Sequence, residues 1–182
     1  AKLNALVDYR VIEALYRASQ AGVPIELVVR GICCLRPGLP GISENIRVTS
    51  IVDRFLEHSR LYVFSPDDEA KIYLSSADWM PRNFQRRVEV MFPIEAPDLK
   101  QRILQEVIPT YLRDNQKARH LQPDGTYVRV HPAPGEAPHR AQEEFLAMRP
   151  APADRAAENG SGTILREVMF AAELLKADFG VT

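Results

Sequence analysis

The chain has 182 residues and a mass of 20.5 kDa, enough for one large domain with a tail and enough to bury a hydrophobic core. A composition of 46% hydrophobic and 26% charged residues, with a formal net charge of -1, excludes a disordered or collagenous chain and a broadly basic nucleic-acid binder. No apolar run approaches the roughly 18 residues of a membrane span, and no charged-then-apolar leader opens the sequence, so a cytoplasmic protein is expected. Cys33 and Cys34 are adjacent, and neither a disulfide framework nor a four-ligand zinc site follows from them. The 23 basic residues divide into 18 Arg and 5 Lys. Guanidinium forks match phosphate and carboxylate oxygens, a bias that suits a phosphate-handling site and equally a GC-rich genome.

In chain order, Asp8 is placed to cap a helix with Val11, Ile12, Leu15 and Tyr16 on one face and Gly22 at its end. Ile25 to Val29 reads as a buried strand. The loop after it, punctuated by Gly31, Pro37, Gly38, Pro40 and Gly41, lies where an α/β sheet usually receives a ligand, and it carries Arg30 and Arg36. Thr49 or Ser50 reads as the cap of a helix holding Ile51, Val52, Phe55 and Leu56. Leu61 to Phe64 and Lys71 to Leu74 form a predicted hairpin across a Ser-Pro-Asp-Asp turn, and Arg87 to Phe92 a further strand. Pro97 opens an amphipathic helix running to Leu112, with Pro109 expected to kink or split it. A turn at 122–125 precedes a short strand over 126–130. Residues 131–153 hold five of the fourteen prolines and read as irregular, with helices predicted over 141–148 and 163–177. Residues 1–150 are therefore read as the folded domain, and 151–182 as linker and tail.

No Gly-x-x-x-x-Gly-Lys-Ser/Thr, Gly-x-Gly-x-x-Gly, Gly-x-Ser-x-Gly or His-Glu-x-x-His motif occurs. Among the four histidines, His131 and His139 lie among prolines and His120 follows a basic helix end. His58 stands apart. It sits at a predicted helix-to-strand junction two residues before Arg60, and the following hairpin returns to Ser75-Ser76-Ala77-Asp78. An imidazole beside a cation, with small hydroxyls and a carboxylate alongside, is suited to holding phosphate oxygens near a proton donor or acceptor. The pattern resembles the phospholipase D signature, His-x-Lys, an Asp, then Gly-Ser-x-Asn. Arg60 stands at the Lys position, Ser65 at the Asp position, and Ser75, Ser76, Ala77 and Asp78 at the last four. The missing Asp argues against a self-contained phosphodiesterase.

Longer strings narrow the family. Ala1 to Asp8, Ala18 to Val23, Val29 to Gly38, Ser43 to Val48, Arg54 to Arg60, Ser75 to Asn83, Arg86 to Val90 and Leu121 to Tyr127 together resemble the C-terminal domain of bacterial polyphosphate kinase, from residue 1 to about 149. The resemblance implies one α/β domain, a mixed β-sheet flanked by helices, as in the phospholipase D superfamily. It implies an enzyme that moves the terminal phosphate of ATP reversibly onto inorganic polyphosphate, through a phosphohistidine and with magnesium. The phosphohistidine, the magnesium site and a nucleotide-stacking tyrosine belong to the preceding domain in that family. This chain would then be one half of an active site, part of a longer and homo-oligomeric enzyme, and without turnover alone.

By the same resemblance, Arg30 and His58 are the contacts to the ATP phosphates, and His58 is the catalytic residue, a general acid or base for the phosphoryl group. Lys2, Asn4, Arg36, Arg60, Ser76 and Asp78 are weaker phosphate-side candidates, Ser76 and Asp78 being better suited to orienting His58. No metal ligand is assigned within this chain. Two other classes stay open: a non-catalytic polyanion-binding module, in which His58→Ala would leave the parent activity intact, and half of a phospholipase D-type phosphodiesterase, which would hydrolyse bis-p-nitrophenyl phosphate.

Overall fold

The computed structural model describes residues 1–64 and 70–148. The predicted helix over 163–177 and Ser65, named above at the Asp position of the signature, lie outside them. The chain divides into two units, Ala1–Phe145 and Leu146–Thr182, and nearly all the described residues belong to the first.

That unit is built on an eight-stranded mixed sheet: β1 (Lys2–Leu3), β2 (Ile25–Val29), β3 (Ile46–Ile51), β4 (Leu61–Phe64), β5 (Lys71–Ser75), β6 (Met91–Ile94), β7 (Ala118–Leu121) and β8 (Tyr127–Arg129). Its strand order is β6-β5-β4-β1-β2-β3-β7-β8. The three central strands, β1, β2 and β3, run parallel, with Lys2 opposite Val28 and Leu27 opposite Val48. The outer strands are antiparallel to their neighbours, so the fold is the expected α/β class with a mixed sheet flanked by helices.

The centre of the sheet is covered on both faces, as a parallel sheet requires. Helix α1 (Tyr9–Gln20) begins where the Asp8 carboxylate accepts from the amides of Arg10 and Val11 and ends before Gly22, whose φ is 84°. Its Val11, Ile12, Leu15 and Tyr16 pack on Leu3, Leu27, Val29 and Val48. Val28 and Ile51 face the other way, onto Tyr111 and Ala141. The hairpin β4–β5 packs Leu61 and Ile72 beside Leu99, Ile103, Leu104 and Ile108. Those last four belong to one helical run, α3 (Pro97–Arg102), a π segment (Ile103–Val107) and α4 (Ile108–Leu112). The predicted split falls ahead of Pro109 rather than at it. The Ile108 amide reaches back five residues to the Ile103 carbonyl, and the extra residue lets Pro109, which has no amide hydrogen, enter early in the next turn.

Three expectations are corrected. The segment read as a helix capped by Thr49 or Ser50 is strand β3 followed by irregular chain. Its β-branched run, Ile46, Val48, Thr49 and Ile51, suits a strand held on both sides, and the would-be caps have other work. Thr49 Oγ1 meets His120 Nδ1 at 3.1 Å, and Ser50 Oγ donates to the Arg30 carbonyl at 3.0 Å. His120 is therefore part of β7 and not of a helix end. The strand expected over 87–92 is β6, shifted to Met91–Ile94 behind a short helix, α2 (Pro81–Gln85). Pro93 is accommodated there because β6 forms an edge of the sheet. Helix α5 (Ala141–Ala147) lies close to its predicted span.

Candidate functional site

The carboxyl ends of β1, β2, β3 and β5 and the start of β4 meet at one edge of the sheet, where open α/β sheets place their ligands. Asn4 follows β1, Arg30 follows β2, Arg60 precedes β4, and Asp78 lies three residues past β5. Beyond its end β1 stays extended beside 77–79: the Trp79 amide donates to the Ala5 carbonyl at 3.1 Å, and the amides of Val7 and Asp8 donate to the Trp79 carbonyl. This threading delivers Asp78 under the site. Trp79 itself stacks on Tyr62, with ring centroids 5.0 Å apart, and packs against the core as a plug.

Asp78 is buried and fully engaged. Its Oδ1 accepts from the amides of Asn4 (2.7 Å) and Ala5 (3.3 Å) and from Arg60 Nε (3.2 Å), while Oδ2 accepts from Arg60 Nη2 (2.7 Å). Burial pushes this carboxyl up, but the Arg60 guanidinium and the two amides outweigh it and hold it below the usual carboxylate range. The other side of the guanidinium carries His58: Arg60 Nη1 donates to the His58 carbonyl at 2.8 Å and lies 3.0 Å from the ring Nδ1. Nη2 lies 3.4 Å from the ring Nε2, so both ring nitrogens face the guanidinium. Asp78 therefore fixes Arg60, and Arg60 seats an exposed imidazole.

Lys2 lies beneath the same segment. Only 2% exposed, it directs its ammonium to the Glu57 carboxylate (3.2 Å), the Ser59 hydroxyl (2.9 Å) and the Ser59 carbonyl (3.2 Å). Its three donors are thereby used. Burial lowers its pKa against the opposing pull of Glu57, and the charges of Arg30 and Arg60 lower it further. Lys2 is thus close enough to both Arg30 and Arg60 to feel their charges. Glu57 and Asp78 neutralise Lys2 and Arg60, and among the described residues of this cluster Arg30 is the cation left over.

Arg30 is the phosphate-competent group of the cluster. Its Nε donates to Asn4 Oδ1 at 3.0 Å, and among the described residues no carboxylate pairs with it. Its Nη donors have no partner among the same residues. Asn4 Nδ2 is likewise buried without a hydrogen-bond partner. Sequence reasoning named Arg30, His58 and Asn4, and the structure brings all three to this edge. Of the weaker candidates it redirects four. Lys2 and Arg60 are sealed beneath the surface by the carboxylates they neutralise. Arg36 is turned away, its Nε donating to the Pro123 carbonyl at 2.7 Å. Ser76 is bonded to Glu89 and to the Val90 amide, not to His58. Asp78 is linked to His58 through Arg60.

Comparison with known proteins follows the same residues. A family described as "Polyphosphate kinase C-terminal domain 2" matches residues 1–142. The chain belongs to this family. It is 57% identical over 143 residues to a polyphosphate kinase of Rhodopirellula baltica, covering 79% of this chain and 17% of that one. A polyphosphate kinase of Pseudomonas aeruginosa is 55% identical over 152 residues, 84% of this chain and 22% of the relative. The crystal structure of polyphosphate kinase from Porphyromonas gingivalis superposes with a TM-score of 0.74 at 44% identity, covering 80% of this chain and 22% of that one. The chain thus spans about a fifth of the length of the curated relatives it matches.

Sequence reasoning missed the layer under this domain's site. Tyr111 donates from its hydroxyl to Glu57 Oε2 at 2.6 Å, and Gln142 donates to Glu57 Oε1 at 2.8 Å. Tyr111 fell within the amphipathic helix predicted from Pro97 to Leu112 with nothing to mark a polar role, and Gln142 carried no signal at all.

Proposed function

We propose that this chain is the C-terminal part of a polyphosphate kinase that transfers the terminal phosphate of ATP reversibly to inorganic polyphosphate. In this reading a phosphohistidine on the preceding domain carries the phosphoryl group, and Arg30 and His58 close the site from this side. The observation that carries it is the Arg30 guanidinium, held at the ligand edge of the sheet by a hydrogen bond to Asn4 and without a carboxylate partner among the described residues. Phosphoryl transfer asks for charge neutralisation and in-line placement above all, and a guanidinium fork with free donors supplies both to phosphate oxygens. His58, seated on Arg60 and open to solvent, is placed to exchange a proton with a phosphoryl oxygen or to donate a hydrogen bond to it.

Magnesium does not fit the carboxylates of this site. Asp78 is bonded to Arg60 and two backbone amides, and Glu57 to Lys2, Tyr111 and Gln142. The proposal accordingly places magnesium ligands on the preceding domain, and no step on this chain passes through a metal. A phospholipase D-type reading is disfavoured because Arg60, at the signature lysine position, is buried against Asp78.

The test is polyphosphate-dependent formation of ATP from ADP by the full-length enzyme. Arg30→Ala and His58→Ala are each expected to lower turnover by about a hundredfold or more, as loss of a charge-stabilising donor does. Full activity in both variants would leave this edge of the sheet without a catalytic role.

A further inference from the structure

His58 is carried by a nine-residue strap, 52–60, with no regular secondary structure. No strand pairing holds it, yet the strap is tied down at residues 53, 55, 57 and 59. Asp53 is bonded to Arg140 through both carboxylate oxygens, at 2.8 Å each. The Phe55 backbone is read on both sides by one side chain: its amide donates to Gln142 Oε1 (2.8 Å), and its carbonyl accepts from Gln142 Nε2 (2.9 Å). Glu57 takes Gln142, Tyr111 and Lys2, and Ser59 takes Lys2. Between these tethers Arg54, Leu56 and His58 face solvent.

Gln142 is the centre of this arrangement. It is buried, lies 87 positions from Phe55 and 85 from Glu57, and uses its acceptor and both of its donors on the strap. Its helix is anchored in turn by the Asp114 carboxylate, which accepts from the Ala141 amide at 2.8 Å. An amide that holds one residue by its backbone and, two positions on, a carboxylate fixes both the height and the direction of the chain before His58. We propose that Gln142, with Tyr111 and Lys2 acting through Glu57, is a positioning residue that sets the His58 ring for phosphoryl transfer. The inference rests on the role given to His58 above.

The network predicts a division of kinetic effects. Arg30 is held by Asn4 and not by the strap, so the larger share of nucleotide affinity is expected to survive a change at Gln142, while turnover depends on it. Gln142→Glu keeps the volume, removes both donors and sets a carboxylate against Glu57 and the Phe55 carbonyl. In the full-length polyphosphate kinase it is expected to lower kcat about tenfold or more, with KM for the nucleotide unchanged within about twofold, as displacement of a reacting group does. Tyr111→Phe, which deletes one hydroxyl, is expected to lower kcat about threefold in the same pattern. It decides the matter if the Glu variant fails to fold. In a His58→Ala background neither change should lower the residual turnover further, because a group that acts only through His58 loses its effect when the ring is gone.

Unchanged kcat in both variants, a rise in KM at constant kcat, or a loss that multiplies with that of His58→Ala would each overturn the positioning role. A fully active His58→Ala enzyme would remove the reading beneath it. The two failures are therefore distinguishable, since only the second shows in the His58 variant alone.

Discussion

Asp78 and Arg60 form a buried ion pair whose worth lies in what each partner would cost alone. Both side chains are under a tenth exposed, and removing one charge leaves the other desolvated without compensation. Asp78→Asn is therefore expected to destabilise the chain by about 3 kcal/mol at neutral pH, while Arg60 loses the contact that seats His58. The pH dependence has a definite sign. Asp78 and Glu57 are both held below their ordinary values, Glu57 because Tyr111, Gln142 and Lys2 together outweigh the upward push of burial. A carboxyl with a depressed folded-state pKa contributes stability that is fully present above its unfolded value, about 4, and is lost as pH falls through the folded value. Thermal unfolding midpoints should thus drop steeply below about pH 4, and Asp78→Asn should flatten that acid limb. An acid limb of the same slope in wild type and variant would show that the pair contributes little.

Elements carry the next constraint, at the end of β1. A Cβ on Gly31 would stand 3.1 Å from the Asn4 carbonyl oxygen. That oxygen is not free to move: it accepts from the Gly31 amide at 2.9 Å, and the Asn4 backbone is fixed by Asp78. Gly31→Ala should accordingly cost about 1–3 kcal/mol through overpacking and shift the Asn4 side chain that holds Arg30. A urea-unfolding midpoint corresponding to less than about 0.5 kcal/mol of change would show that the strand end yields. What the sequence disclosed follows the same division between local and distant causes. Helix α1, β2 and the β4–β5 hairpin were legible because caps, turns and periodicity act over a few residues. Strand β3 was not, since Thr49 and Ser50 carry the chemistry of a helix cap and only the strands on both sides give them other partners. The strap was misread for the same reason, and Gln142 was invisible because its meaning lies 87 positions away in Phe55. Arg30 and His58 were legible as phosphate-competent side chains within family motifs. That Arg60 and Lys2 are structural supports and not contacts depends on burial, which the pattern of charges does not encode.

At the scale of the whole molecule, 23 basic residues are balanced by 24 acidic ones, so net charge supplies no broad attraction for a polyanion and the ligand edge of the sheet is the local candidate. The field there is small in extent. Glu57 and Asp78 cancel Lys2 and Arg60, and among the described residues of this edge Arg30 is the cation without a carboxylate. Each cation that displaces a counterion from a polyanion weakens binding roughly threefold between 50 and 200 mM salt, whereas a broad basic surface making six or more contacts loses about a thousandfold. If the ligand edge is a half-site of one or two cations, calorimetric titration of this chain with medium-chain polyphosphate should show an affinity that falls only about three- to tenfold over that range. Arg30→Ala should then abolish most of the binding. A thousandfold salt dependence, or binding indifferent to Arg30, would place the polyanion on a different and wider surface. The shallow dependence reports how few phosphates this edge engages, and tighter binding than that calls for cations supplied from outside this domain.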